Sequence, residues 1–349
     1  MDDNHLNDWF KKRKERRKDL NSESLLKGLL SKNISFLSTS ITLLESSRLD
    51  DQIVAKELIN ICLPYSGKSI RIGITGVPGV GKSTFIESFG KVLINSGKRL
   101  AVLAIDPSSE FSGGSILGDK TRMEELSQME NVFIRPSPAG KTLGGVAKKT
   151  RESILLCETA GFDVILIETV GVGQSETMVH SMVDFFLLLM LAGAGDELQG
   201  IKRGIMEMAD TIVITKADGD NLQKAKLACQ EYKNALHLFP PNPNEWIPKT
   251  LTCSSITGEN IPQLNDIINS FINQTKVNGW FDKKRHFQDI FWFHETLKEL
   301  ILNQFFNNTE IAQKISKIEE EIIEGKLSSF QAAEELYTNY LNRLNGTNF

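Results

Sequence analysis

The sequence lacks the features of a disulfide-rich, zinc-binding or membrane-spanning protein. Its four cysteines are far apart and form no Cys-x-x-Cys pair: Cys62, Cys157, Cys229 and Cys253. Neither a disulfide framework nor a structural zinc site is therefore expected. The most apolar stretch, residues 185–192, is far too short to span a bilayer. The first residues, Met1-Asp2-Asp3, carry no secretory signal, so we expect free thiols in a reducing cytoplasm and no membrane contact.

The sequence also lacks a large excess of charge of either sign, with 40 Lys and Arg residues against 44 Asp and Glu residues. The net charge is -4 with 24% charged residues, which gives no overall indication of a nucleic-acid partner. One basic run, residues 11–18, fits either a solvated helix face or a contact with an anionic surface, and the solvated face is the simpler interpretation. The five histidines do not cluster with cysteine, unlike the ligands of a metal-insertion protein.

What the chain does contain is an alternation of short apolar runs and helical segments over residues 69–276. The apolar runs are residues 70–75, 100–105, 132–134, 164–168, 185–191, 211–215 and 249–253. Consecutive β-branched and apolar residues are typical of strands buried on both faces. We therefore predict an α/β fold with a doubly wound, mostly parallel sheet.

Helical extensions are predicted on both sides of this domain. Residues 1–68 contain leucines at helical spacing, and Pro64 and a polar stretch end this pattern. Residues 277–349 contain an aromatic helical stretch from Trp280 to Leu297, followed by isoleucines at three- and four-residue steps. From the residues alone this arm fits equally a helix packed on its own domain and a dimer interface.

The strongest chemical motif is a phosphate-binding loop with the pattern G-x-x-x-x-G-K-[ST]. It consists of Gly76, Val77, Pro78, Gly79, Val80, Gly81, Lys82 and Ser83, followed by Thr84 near the start of a predicted helix. A strand before the loop and a helix after it are the context that this motif requires. Backbone N–H groups would surround the phosphates, Lys82 would reach the β- and γ-phosphates, and the Ser83 hydroxyl would bind Mg²⁺.

Carboxylates at the ends of two predicted strands are candidates for holding that magnesium. Asp106 follows the second apolar run and Glu168 ends the fourth. A phosphate loop needs such a carboxylate on a neighbouring strand. Glu168 also begins the segment Glu168-Thr169-Val170-Gly171, which resembles the carboxylate-x-x-Gly element of GTPases.

A base-reading element is predicted after the sixth apolar run. Thr215, Lys216 and Asp218 form Thr-Lys-x-Asp, a variant of the commoner Asn-Lys-x-Asp. The Asp218 carboxylate can accept hydrogen bonds from the ring N–H and the exocyclic amine of guanine, which adenine does not present together. Ser254, Ser255 and Ile256 follow the last run and resemble the Ser-Ala-x element that touches guanine, with Ser255 in place of Ala.

Further distinctive segments lie around these elements. They are residues 104–109, 113–123, 133–138, 142–145, 168–176 and 193–202. With the phosphate loop, they resemble the methylmalonyl-CoA mutase-associated GTPases (MeaB type, formerly grouped with ArgK) over nearly the whole chain. Ala192 and Ser255 depart from the family pattern, as does Thr215, but no phosphate or metal ligand is lost.

This resemblance implies a SIMIBI-like P-loop fold and roles for further residues. Asp106, Asp119 and Glu168 would surround magnesium together with Ser83. Lys82, Gly171 and Gln174 would act in hydrolysis. Sensing of a partner would use Gln174 and the loop residues Asp196, Glu197, Gln199 and Lys202. The family also forms homodimers through its C-terminal helices, which favours the dimer alternative.

The biological role implied by the resemblance is that of a chaperone. The protein would bind and hydrolyse GTP with Mg²⁺, releasing GDP, and would gate cofactor loading of an adenosylcobalamin-dependent methylmalonyl-CoA mutase or related acyl-CoA mutase. A cobalamin adenosyltransferase is a further candidate partner, while the GTPase itself need not bind cobalamin. Val172 stands where Ras-like GTPases place glutamine, so slow intrinsic hydrolysis is expected. The alternatives are a metal-insertion GTPase and an ATP-dependent kinase of a small molecule or transport protein.

Overall fold

A seven-stranded sheet forms the centre of the chain. The computed structural model describes residues 21–105, 123–136, 143–169, 175–193 and 203–344. The strands are β1 (Ile70–Gly76), β2 (Leu100–Ile105), β3 (Val132–Arg135), β4 (Val164–Thr169), β5 (Phe185–Met190), β6 (Thr211–Ile214) and β7 (Lys249–Thr252). Their order in the sheet is β3-β2-β4-β1-β5-β6-β7, and every pairing is parallel. The predicted doubly wound parallel fold is confirmed.

The apolar runs form strands because both of their faces are covered. All six residues of β5 are buried, and its phenylalanine Phe185 packs edge-on against Phe271, with ring centroids 5.1 Å apart. A parallel sheet with helices on both faces removes nearly every strand side chain from water. The run of apolar residues without alternation follows from that burial.

Thirteen helices are assigned within the described ranges. They are α1 (Ser22–Leu30), α2 (Ile34–Glu45), α3 (Leu49–Cys62), α4 (Lys82–Asn95), α5 (Glu124–Gln128), α6 (Leu143–Thr159), α7 (Ser175–His180), α8 (Arg203–Met208), α9 (Leu222–Leu236), α10 (Ile261–Val277), α11 (Trp280–Phe306), α12 (Thr309–Ile323) and α13 (Ser329–Leu344). Helices α1 to α3 pack on one another and on α6. No helix in these ranges has both the length and the apolar character that crossing a membrane requires.

The described chain divides into two compact units. One extends to Gln288 and the other begins at Asp289, so the division falls within α11. The boundaries predicted from sequence, after residues 68 and 276, stay predictions. In the first unit, the beginning of α11 is tied to the sheet by Arg285.

Arg285 closes a buried ionic cluster at the amino ends of the strands. Its guanidinium donates to both carboxylate oxygens of Asp184, at 2.8 and 2.7 Å, and to the carbonyl oxygen of Ser69 at 2.6 Å. The backbone N–H of Arg71 also donates to Asp184 at 2.8 Å. Burial opposes ionisation of Asp184, but the guanidinium of Arg285 holds the pKa of that carboxyl below its usual value.

The strand order places a crevice beside β1. The chain leaves β1 towards β2, which lies on the β4 side of β1. After β4 the chain crosses to β5, which lies on the opposite side of β1. Ligands of open α/β sheets bind where successive connections diverge in this way, outside the carboxyl ends of the strands. The end of β1 and the beginning of α4 lie at that point.

Candidate functional site

The loop between β1 and α4 has the backbone conformation of a phosphate cradle. Gly79 and Gly81 have φ values of 75° and 90°, a region in which residues with a side chain are strained. A Cβ at Gly76 would lie 2.4 Å from the carbonyl oxygen of Leu189 on β5. The glycines of the motif are therefore required by backbone geometry and by close packing against the next strand.

Helix α4 begins at Lys82 without a side-chain cap. Its N-cap is Gly81, which offers no acceptor, and no acidic residue occupies its first turn. The first N–H groups of a helix have no partner within the helix and attract anions. Ser83 and Thr84, both predicted nucleotide ligands, lie in this first turn, where a phosphate would be bound.

Lys82 is folded back on its own loop. Its ammonium group donates to the carbonyl oxygen of Gly76 at 2.9 Å. Burial lowers the pKa of Lys82, and the negative charges of Glu168 and Glu176 oppose this effect. The sequence predicted Lys82 and Glu168 as site residues, and the structure brings their charges within electrostatic range of each other.

Two of the four predicted magnesium ligands lie in the described chain. Glu168 is paired with Ile74 on β1 and with Ala104 on β2, so it lies next to the end of the strand that leads into the phosphate loop. The hydroxyl of Ser83 and the carboxylate of Glu168 are oxygen donors, which Mg²⁺ prefers, so their chemistry fits this ion. Within the described ranges, no group of three His, Cys, Asp or Glu residues could hold a metal. Asp106 and Asp119 lie outside those ranges.

The predicted base-reading loop is joined to the phosphate loop by two side chains. The hydroxyl of Thr215 donates to the carbonyl oxygen of Val80 at 2.8 Å, and the ammonium group of Lys216 donates to that of Gly79 at 2.9 Å. Lys216 has a φ of 55°, which turns the chain sharply after β6. Both contacts connect the elements that would bind the base and the phosphates of one nucleotide.

Asp218 is oriented by Ser254. The buried hydroxyl of Ser254 donates to Oδ2 of Asp218 at 2.5 Å and accepts the N–H groups of Ile256 and Thr257 at 3.2 and 3.1 Å. Ser255 is half-buried, and the side chain of Ile256 is exposed. The predicted pair of elements, Thr-Lys-x-Asp and the serine segment after β7, therefore meets at one carboxylate.

Three buried polar residues lie behind the phosphate loop, of which the sequence singled out neither threonine and gave Glu176 only as the last residue of the segment 168–176. Thr75 precedes Gly76, Thr169 follows Glu168, and Glu176 lies in the first turn of α7. The hydroxyl of Thr169 donates to that of Thr75 at 2.8 Å, and Thr75 donates to Glu176 at 3.4 Å. The sequence did contain a signal for the two threonines. Each lies at the end of an apolar run and next to a predicted site residue, Gly76 or Glu168.

Six predicted catalytic or partner-sensing residues lie outside the described residues. They are Gly171, Gln174, Asp196, Glu197, Gln199 and Lys202. Their roles stay predictions.

The chain is similar to known proteins over most of its length. The family model described as methylmalonyl Co-A mutase-associated GTPase MeaB matches residues 37–310. A putative GTPase of Caulobacter vibrioides is 48% identical over 91% of this chain and 97% of its own. The GTPase ArgK of Escherichia coli is 43% identical over 88% and 94%, respectively. The mitochondrial methylmalonic aciduria type A homolog of Mus musculus is 45% identical over 92% and 80%.

A solved structure has the same overall fold. The crystal structure of a LAO/AO transport system kinase is 35% identical in sequence, with a TM-score of 0.73 over 92% of this chain and 97% of that chain. The resemblance seen in the motifs therefore extends to the whole architecture.

Proposed function

Because the chain belongs to the methylmalonyl-CoA mutase-associated (MeaB) family of P-loop GTPases, we propose that its GTP cycle serves an adenosylcobalamin-dependent acyl-CoA mutase. The GTPase would gate loading of the mutase with its cofactor and protect the mutase. The family description and the name of the mouse relative, which refers to methylmalonic aciduria, support this role. Cobalamin would be bound by the mutase and by a cobalamin adenosyltransferase, a further candidate partner.

The contact between Ser254 and Asp218 carries the assignment of guanine as the base. A carboxylate that reads guanine must present its oxygens in a fixed direction, and the 2.5 Å hydrogen bond from Ser254 fixes one of them. Lys216, with its stem beside the phosphate loop, would cover the face of the base. An ATP-binding site has no need of a carboxylate at this position.

In our proposal hydrolysis proceeds by in-line attack of water on the γ-phosphate. Lys82 would exchange its loop carbonyl for phosphate oxygens, and the N–H groups of the phosphate loop and of α4 would stabilise the charge that develops there. Bound through Ser83, Glu168 and the predicted Asp106 and Asp119, magnesium would supply further charge neutralisation. Gly171 and Gln174 would also act in hydrolysis.

Partner sensing is proposed for residues 196–202. Asp196, Glu197, Gln199 and Lys202 would respond to the mutase, and Gln174 would transmit the response to hydrolysis. Slow hydrolysis without a partner and faster hydrolysis with one are the expected behaviour of switch loops that a partner rearranges.

The base assignment is tested by titration calorimetry with GDP, a GTP analogue and an ATP analogue in the presence of Mg²⁺. We expect binding of both guanine nucleotides and a preference for GTP over ATP of at least about 100-fold, because guanine alone satisfies Asp218. Asp218→Asn should abolish this preference, whereas Asp220→Asn, a change of an exposed carboxylate two residues away, should preserve it. Equal or tighter binding of the ATP analogue would contradict the assignment and favour a kinase.

The chaperone role is tested with a purified adenosylcobalamin-dependent methylmalonyl-CoA mutase. We expect the mutase to accelerate GTP hydrolysis, and we expect transfer of cofactor to the mutase to require GTP turnover. A GTP analogue that resists hydrolysis should block transfer while still allowing the complex to form. The proposal would be overturned if the mutase did not change GTP turnover and the GTPase did not change cofactor loading of the mutase. The GTPase assignment would remain intact.

A further inference from the structure

Glu176 is a buried carboxylate that none of the roles above uses. It lies in the first turn of α7 and is 1% exposed. Among the described residues, its two oxygens accept hydroxyl groups alone, Thr75 on Oε1 and Ser175 on Oε2, each at 3.4 Å. Burying a carboxylate is costly unless a positive charge compensates for it, and two long hydrogen bonds to neutral hydroxyls do not do so.

The compensating charge is that of Lys82. Its ammonium group interacts electrostatically with Glu176 as well as with Glu168. Lys82 is therefore under the influence of two negative charges, one at the end of β4 and one on α7. The first is predicted to bind magnesium, whereas Glu176 has no such role and can balance the charge of the lysine.

A directed chain of hydrogen bonds connects Glu176 to the strands that carry the phosphate site. Thr169, next to Glu168 on β4, donates to Thr75 on β1 at 2.8 Å, and Thr75 donates to Glu176. Thr75 is also bonded covalently to Gly76, whose carbonyl oxygen accepts from Lys82 at 2.9 Å. All three members of the chain are buried, at 1 to 2% exposure, so water does not compete for these hydroxyls.

We propose that Glu176 is a positioning residue for GTP hydrolysis, which sets the place of Lys82 by its charge and the place of the Gly76 carbonyl through Thr75. It touches neither the nucleotide nor the attacking water. The inference rests on the GTPase activity of the family and not on the proposed chaperone role, so the mutase experiment and the tests below fail independently.

The effect of Glu176 should fall on turnover more than on nucleotide binding. Lys82 must leave a carbonyl oxygen and follow the charge that develops between the β- and γ-phosphates, and only interactions stronger in the transition state raise kcat. GDP is bound mainly by loop N–H groups and the base-reading elements, which Glu176 does not contact. A split between kcat and GDP affinity therefore distinguishes positioning from general support of the fold.

The first test compares Glu176→Gln, which keeps size and hydrogen-bond acceptance but removes the charge, with Glu231→Gln on the exposed face of α9. Measured with the full-length protein and Mg²⁺, kcat for GTP should fall by about 10- to 100-fold in the Glu176→Gln variant. This fall is smaller than the one expected from removing a group that donates a hydrogen bond directly to the transition state. The affinity for GDP and the KM for GTP should change by less than about threefold, since ground-state contacts remain. The control should match the unmodified protein, and Glu176→Asp should recover part of the lost turnover.

The second test uses the hydroxyl chain and stands even where Glu176→Gln fails to fold. Thr75→Val removes the donor at nearly constant volume, whereas Thr75→Ser keeps it. We expect kcat to fall by about three- to tenfold in the valine variant only, and the double variant Thr75→Val/Glu176→Gln to be no slower than Glu176→Gln alone, because both changes break one unit. Unchanged kcat in both Glu176→Gln and Thr75→Val would overturn the proposal, as would parallel losses of kcat, GDP affinity and melting temperature.

Discussion

At the scale of single residues, Thr215 explains how the chain departs from the commoner Asn-Lys-x-Asp pattern. Its buried hydroxyl donates to the carbonyl oxygen of Val80 at 2.8 Å and lies 3.3 Å from that of Met190. A short hydroxyl is therefore sufficient to tie the base-reading loop to the phosphate loop. Thr215 supports the nucleotide through the protein backbone and leaves base selection to Asp218.

This arrangement predicts that Thr215→Val weakens all nucleotides alike. Removing the hydroxyl leaves a buried carbonyl oxygen unsatisfied, at a cost of about 1–3 kcal/mol. Calorimetric Kd values for GDP and for a GTP analogue should rise together, by about 5- to 100-fold, with the preference for guanine over adenine preserved. Thr215→Ser should bind like the unmodified protein, and a loss of base preference in the valine variant would contradict this account.

Residues within a motif were predictable from sequence, and residues that act across elements were not. Lys82 and Asp218 belong to local patterns that specify both backbone and chemistry. Glu176 was seen only as the end of a family segment, and Thr75 and Thr169 passed as ordinary strand residues. Their connection depends on β1 lying next to β4, which no local pattern reveals.

At the scale of elements, the predicted strands agree with the structure to within one residue at each end. The sixth apolar run extends to Thr215, and the strand ends at Ile214, directly before the Thr-Lys-x-Asp element that was predicted to follow it. Buried apolar runs locate strands well, since burial on both faces leaves a continuous signal. Strand ends are set by contacts made after the sheet has formed.

Helix α7 should make the stability of the fold depend on pH. It ends at His180, whose ring packs edge-on against Phe186 with centroids 5.5 Å apart. Burial lowers the pKa of His180 to about 3, and the positive charge of Lys284 adds to the effect. In the unfolded chain a histidine has a pKa of about 6.5.

The folded state therefore binds fewer protons at this site between pH 6.5 and 3, and stability falls as pH falls through that window. Between pH 7 and pH 5, the unfolding free energy of the unmodified protein should fall by about 1–2 kcal/mol more than that of the His180→Gln variant. The measurement is urea unfolding of both proteins at each pH. Asp210, whose pKa burial raises to about 6, contributes a slope of opposite sign that both proteins share. Equal pH dependence of the two proteins would contradict the prediction.

At the scale of the whole molecule, α11 carries apolar side chains that water contacts. Phe293, Leu297, Leu300 and Ile301 are between 43 and 63% exposed and recur at three- and four-residue steps along the helix. Such a stripe is typical of a helix that packs against another surface. We therefore propose that this arm forms a homodimer, the alternative that the sequence favoured for it.

A dimer is expected in light scattering coupled to size-exclusion chromatography, with a mass twice that of the 39.0 kDa chain. Replacing Leu297 and Leu300 by glutamate should give a monomer, because two buried charges per subunit would oppose association. Lys298→Glu, placed away from the stripe in the helical repeat, should remain dimeric. A monomeric unmodified protein at micromolar concentration would refute the proposal.

The cluster around Arg285 has a consequence for how the chain is completed during synthesis. Asp184, directly before β5, is bound by the guanidinium of Arg285, which lies 101 positions later in the chain. The same guanidinium binds the carbonyl oxygen of Ser69, which lies 216 positions before it. At translation rates of about 5–20 residues per second, the interval between Asp184 and Arg285 lasts roughly 5–20 seconds. Until the first turns of α11 leave the ribosome, a nearly finished nucleotide-binding domain therefore holds a carboxylate without its main partner. Asp184 therefore gains its guanidinium partner only once the beginning of α11 has been made, after all seven strands of the sheet.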